Sequence, residues 1–456
     1  MTKAGWRPKA RPFLVDHDAV GSGSANPRAV LDHCLAEIEA HEADVKAFVT
    51  LDTKAATVAA DASAKRWKAG CPLSPIDGMV IGVKDVIETA NMPTQMGSAL
   101  YDGWRSERDS ASVRALKEAG CVILGKTVTT EFAASEPGPT RNPWDIARTP
   151  GGSSSGSAAG TAAGFINAGL GTQVVGSILR PASYCGVVGF KPTVGAINRG
   201  GSHDHMSQSA QGVIAPTLAD AWGVLRAIAD RTGGDPGHPG LYGPAAMPAA
   251  KTPAILVVLE TPGWTEASDA AKSAFESAVK QLAASGIALK TRRNDPLVDA
   301  AERAVAQSMV LTRKINAWES RWPLNTYCDR DRTKLSAAMV ERAAEAAAMT
   351  LEEYRGHVVA RQRVRETYAR LASAADAVIT LSAAGEAPLG LESTGSATFV
   401  VVGSLLGVPA VSLPVLSANG LPLGLQVLGF EHRDADLMAV AAAIEDSVGP
   451  GVKVRA

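Results

Sequence analysis

Residues 149–192, TPGGSSSGSAAGTAAGFINAGLGTQVVGSILRPASYCGVVGFKP, decide how the rest of the chain is read. Their Gly, Ser and Ala content alone suggests a linker. Flexible linkers, however, are polar throughout, and this run is broken by apolar segments. A Gly/Ser knot at 151–156 leads straight into an Ala-rich helical stretch over 157–167, and a second turn at Gly176 and Ser177 is followed by Arg180 and Pro181. Glycines so placed serve where backbone must approach a ligand closely or take up positive φ. The run reads as the place where the chemistry is done.

Outward from it, helical periodicity spans 27–41 and 55–69. Short apolar strands fall at 79–83 and 121–124, with a helix over 110–119 between them. Further on, 254–259 reads as a strand and 266–284 as a helix. This alternation predicts an α/β fold. Residues 299–375 are mostly helical and are expected to form a substrate-side subregion, while 233–250, rich in Gly and Pro, reads as a long loop. At 456 residues the chain is long enough for two or three domains, but large α/β enzymes of this length fold as one. A single domain over 1–456 is expected.

Lys and Arg (45) nearly balance Asp and Glu (46), for a net charge of −1. Nothing there points to nucleic acid or a membrane surface. The first twenty residues lack an apolar core of leader length, and no apolar run is long enough to span a bilayer. Five scattered cysteines without CxxC pairs fit free thiols and a cytoplasmic location.

Four further segments lie in order around the opening run: PIDGMVIGVKDVIETANMPTQMGS (75–98), GCVILGKTVTTEFA (120–133), RNPWDIARTPGGSS (141–154) and GVPAVSLPVLSANGLPLGLQVLG (407–429). Together the five resemble the amidase signature family from about residue 47 to 429, weakening over 234–375. The resemblance implies a mixed, mostly parallel central sheet covered by helices on both faces. It also implies a cofactor-independent amidase using a Ser-cisSer-Lys triad of Lys84, Ser153 and Ser177. Ser177 would be the nucleophile, and Ser153, preceded by a cis peptide from Gly152, would relay its proton to Lys84. The resemblance implies 24 residues between the two serines, which counted back from Ser177 singles out Ser153 within its triplet. Backbone N–H groups of Val174, Val175, Gly176 and Ser177 would form the oxyanion hole, with Gly152, Ser154, Gln173 and Arg180 at the substrate.

The residues themselves allow this chemistry. Amide hydrolysis needs a nucleophile, a base and oxyanion donors. None of the eight histidines falls in a matching motif, and no GxSxG elbow surrounds a serine. Lys84 is the one cation of the apolar stretch 79–87, and a lysine serves as base only where desolvation or nearby positive charge lowers its pKa. The plainer readings are a solvated edge lysine, an ordinary Gly/Ser loop and, for Ser177, a helix N-cap.

Departures from the family pattern stand at Ser155, Gln173, Val175 and Arg180. Ser155 either alters loop packing or points to solvent. Gln173 and the displaced Arg180 resemble a malonamidase-type branch, in which the arginine binds a substrate carboxylate; alternatively Arg180 ties down local carbonyls. Val175 requires either negative φ in the loop or re-aimed donors, and it would narrow the space beside the scissile carbonyl. His203, Asp204 and His205 lack a third ligand at regular spacing, and a solvated loop is expected there rather than a metal site. Cys185 reads as a buried packing thiol.

The expected activity is hydrolysis of C–N bonds in small amides or carbamates, with urethane or aryl-carbamate cleavage among the options, by a monomer or homodimer with a small-molecule substrate. Alternatives are an amidotransferase-type subunit in a tRNA-dependent complex and a hydrolase of dicarboxylic half-amides using Arg180.

Overall fold

The computed structural model describes residues 6–14, 26–134 and 136–452. Parts of the N-terminal stretch read for a leader therefore lie outside the described residues. Among those described, eleven strands form one sheet: β1 (Phe48–Leu51), β2 (Val80–Lys84), β3 (Val122–Thr127), β4 (Ala168–Gln173), β5 (Val188–Lys191), β6 (Ala210–Ala215), β7 (Ile255–Val258), β8 (Ala288–Lys290), β9 (Ala377–Leu381), β10 (Ala410–Ala418) and β11 (Leu421–Leu428). Their order is β1-β3-β2-β4-β6-β5-β10-β11-β9-β7-β8.

The fold is α/β with a mixed sheet, as expected, but the balance of directions differs from expectation. Parallel pairing is confined to β3-β2-β4 at one end and β9-β7-β8 at the other. Every other neighbouring pair is antiparallel. The local strand–helix alternation that suggested parallel pairing is real at both ends. Between them, the hairpin β10-β11 and the return strand β6 reverse direction, and β5 joins β10 across a long stretch of sequence.

Helices begin where the sequence supplies caps. Asn26, Asp52, Ser110, Thr217 and Ser268 each accept a backbone N–H in the first turn of the helix that follows. The helices cover both faces of the sheet. Val80 packs with Leu31, Ala60 and Ala159 on one side, while Ile81 and Val83 join Trp222, Leu225 and Ile228 on the other. Side chains alternate along a strand, so Lys84 shares the face of Val80 and Gly82. A Cβ on Gly82 would meet Ile166, which places Lys84 on the face covered by the helix Ser155–Ala162.

The segment expected to be helical forms five helices between Pro296 and Ala369. Leu324, Tyr327 and Met339 make a small separate core with Leu100, Tyr101 and Phe132, and Phe132 stacks on Tyr327 at 3.9 Å. The segment thus covers the loops that leave β2 and β3, on the side where Lys84 ends its strand. Residues 233–250 form a loop after the helix Leu218–Thr232, as read from the sequence.

Candidate active site

Lys84 is the last residue of β2 and is fully buried. Its Nζ donates to Ser153 Oγ at 2.7 Å and Thr172 Oγ1 at 2.8 Å. Asp85 is next in sequence, but adjacent strand residues face opposite ways. Its carboxylate lies 3.1 Å from the buried ammonium of Lys126, which also donates to Thr94 Oγ1. Among the described residues no carboxylate is within ion-pair distance of Lys84. Burial therefore dominates and lowers its pKa to about 7, while the more distant charge of Asp204 acts in the opposite direction. A lysine with that pKa is substantially neutral at physiological pH and can accept a proton.

Ser153 sits at the turn into the helix Ser155–Ala162, and the Gly152–Ser153 peptide is cis. Gly151 holds φ at 82°, and a Cβ there would lie 2.8 Å from Pro181 Cα. Only glycine satisfies both constraints. The carbonyl of Ser153 accepts from Thr130 N–H. Ser155 points inward and donates to the carbonyl of Gly151 at 2.9 Å, so this departure stiffens the turn. Ser154 is also fully buried. Its N–H donates to the carbonyl of Ser177 at 3.2 Å, which draws the two halves of the Gly/Ser run together.

Ser177 follows β4 in the loop 174–178 and is half-buried, whereas Lys84 and Ser153 are 0% and 1% exposed. The gradient runs from a half-exposed hydroxyl inward to a dry amine. Among the described residues, the N–H groups of Val174, Val175, Gly176 and Ser177 donate to no protein acceptor. Val175 is absent from the residues with positive φ, so the β-branched side chain is accommodated by φ < 0. Its isopropyl group packs on the core formed with Val400 and Val401. A Cβ on Gly176 would collide with Val400.

Gln173 is buried behind this loop. Its Oε1 accepts from Ile178 N–H (2.9 Å) and Leu179 N–H (3.0 Å), and its Nε2 donates to Ser404 Oγ (3.0 Å). The side chain caps the helix Leu179–Cys185, whose own N-cap residue Ile178 offers no side-chain acceptor. Arg180 is buried too. Its guanidinium donates to the carbonyl of Gly152 (2.7 Å), the carbonyl of Gly395 (2.9 Å) and Thr394 Oγ1 (2.9 Å). Of the two roles open to it, these contacts belong to the tying of local carbonyls. Cys185 is fully buried, its thiol pushed up by desolvation and donating to the carbonyl of Pro150.

The loop before β6 is only partly the solvated loop expected: His205 and Ser207 are exposed, while Asp204, Gln208 and Ser209 are buried. It pairs with the chain just after Lys84, where Glu88 N–H donates to Gly201 O and His203 N–H to Val86 O. This pairing buries Asp204, which accepts from Ser209 Oγ. His203 lies 3.1 Å from Glu88, and burial lowers its pKa. No group of three metal-binding side chains occurs among the described residues. The bond of Lys84 to Thr172 and the burial of Asp204 are what sequence reasoning missed. Thr172 stood inside the quoted motif, but no spacing argument assigned it a partner. Asp204 occupies a position where local polarity signals solvent, and only the long-range pairing reveals its burial.

A family model described as Amidase matches residues 29–438. A glutamyl-tRNA(Gln) amidotransferase subunit from Salinispora arenicola is 32% identical over 94% of this chain and 96% of its own length. The corresponding protein from Chloroflexus aggregans is 41% identical, over 47% of this chain and only 45% of that relative. The native peptide amidase from Stenotrophomonas maltophilia superposes with a TM-score of 0.77 at 26% identity, covering 95% of this chain and 96% of that one. Among the described residues, no helix is long and apolar enough to cross a membrane.

Proposed function

The chain belongs to the amidase family, and on that premise we propose that it cleaves the C–N bond of a small amide by acyl transfer through Lys84, Ser153 and Ser177. The observation that carries the reading is a fully buried lysine, with no paired carboxylate among the described residues, 2.7 Å from the serine of the cis turn. Ser177 Oγ attacks the carbonyl carbon. As it does, its proton passes to Ser153 Oγ while Ser153 gives its own to neutral Lys84. The developing oxyanion meets the unpaired N–H groups of the loop 174–177. Collapse breaks the C–N bond, Ser153 protonates the departing nitrogen, and Lys84 returns its proton to Ser153. Water then repeats the sequence on the Ser177 ester.

Ser177→Ala should abolish covalent labelling by a fluorophosphonate and reduce amide turnover by several orders of magnitude, with folding intact by circular dichroism. Near-normal turnover by this variant would overturn the assignment.

A second reading is favoured by the curated relatives named as amidotransferase subunits, of which those from Myxococcus xanthus and Salinispora arenicola align along nearly the whole chain. In it the same triad releases ammonia from glutamine, and partner chains deliver it to a tRNA-bound acyl group. Glutaminase activity that rises on adding such partners and tRNA supports this reading, and turnover of anilides, carbamates or simple primary amides by the isolated chain supports the first. The half-amide reading requires a free Arg180 guanidinium, and its bonds to Gly152, Thr394 and Gly395 favour bracing instead.

A further inference from the structure

We propose that Gln208 and Ser404 are positioning residues that aim the oxyanion donors by gripping the far side of their peptide groups. The inference rests on the acyl-transfer reading. Gln208 Nε2 donates to the carbonyl of Val174 at 2.9 Å and lies 3.3 Å from Thr312 Oγ1. Ser404 Oγ donates to the carbonyl of Val175 at 3.0 Å. The peptides that follow these carbonyls are trans, since the sole cis bond among the described residues is Gly152–Ser153. In a trans peptide the C=O and N–H point in opposite directions. Holding Val174 O toward Gln208 thus turns Val175 N–H away from it, and holding Val175 O toward Ser404 turns Gly176 N–H away. These are two of the N–H groups with no acceptor among the described residues.

The orientations of both clamps are themselves forced. Val174 O can only accept, so the amide of Gln208 must present nitrogen to it. Its Oε1 is left buried without a partner, a cost a side chain tolerates where the donor end matters. Ser404 oxygen already accepts from Gln173 Nε2, so its single hydrogen is free for Val175 O. Both clamps are anchored outside the loop. Ser404 belongs to the helix Val401–Leu406. Ser207, beside Gln208, is held by Glu319 and Arg361 from the helical segment. Among the described residues, neither Gln208 nor Ser404 hydrogen-bonds to Lys84, Ser153 or Ser177, so their effect runs through the loop.

The test is the second-order rate of Ser177 labelling by a fluorophosphonate, whose phosphoryl oxygen takes the oxyanion position and requires no knowledge of the substrate. Gln208→Leu and Ser404→Ala should each slow labelling roughly 10- to 100-fold, less than or near the loss of one oxyanion donor. The midpoint of the pH–rate profile should not move, because Lys84 is untouched. Ser404→Thr, which keeps the hydroxyl, should restore most of the rate. Wild-type labelling rates in both Gln208→Leu and Ser404→Ala would overturn the proposal while leaving the triad standing. Loss of rate in Ser404→Thr equal to that in Ser404→Ala, or a shifted pH midpoint, would overturn it as well. If Gln208→Leu does not fold, the Ser404 pair decides. Labelling that persists in Ser177→Ala refutes the underlying reading instead.

Discussion

At the scale of single residues, the proposed mechanism turns on the protonation of Lys84. It can take the proton relayed from Ser177 only when neutral, and burial brings its pKa to about 7. The neutral fraction grows as pH rises through that value, so kcat/KM should climb through pH 7 and level off above it. Asp204 favours the charged form. Asp204→Asn should therefore move the rising limb to lower pH, a shift readable in a pH–rate profile; a shift to higher pH or none would contradict this account. Lys84, Ser153 and Ser177 were proposed from the sequence because the family resemblance carries their roles onto ordered motifs. Asp204 and Gln208 could not be, because each acts through contacts with residues far away in the chain.

Secondary-structure elements follow their local signals closely. The helices expected over 27–41, 55–69, 110–119 and 266–284 form within a few residues of those bounds, since amphipathic period and cap residues are local properties. The helix Leu351–Ala369 carries a full capping box, in which Thr350 accepts from Glu353 N–H and Glu353 returns a bond to Thr350 N–H. Thr350→Ala should cost about 1 kcal/mol, read as faster amide exchange along this helix and an earlier denaturation midpoint. Less legible was the meaning of Gln173. Its place in the motif suggested substrate, but the helix beginning at Leu179 has unsatisfied N–H groups that the side chain reaches first. A helix terminus claims the nearest acceptor.

For the molecule as a whole, the strands β2, β3 and β7 were legible in the sequence, most of the others were not, and strand direction was not. Hydrophobic runs mark β2 and β3 because both are buried on every side. Which way a run points depends on connections that cross the sheet, such as those bringing β5 beside β10, and no local pattern encodes them. The same global closure decides the fate of the proton. Ser177 is half-buried, while Ser153 and Lys84 lie where bulk water does not reach. A proton lifted from the nucleophile then has nowhere to go but back along the relay to the departing nitrogen. In the proposed mechanism the catalyst thus keeps custody of one proton through each half-reaction and needs no external carrier. Turnover at fixed pH and ionic strength should accordingly be indifferent to the concentration and identity of the buffer, and a rate that rises with buffer concentration would mean that the relay leaks.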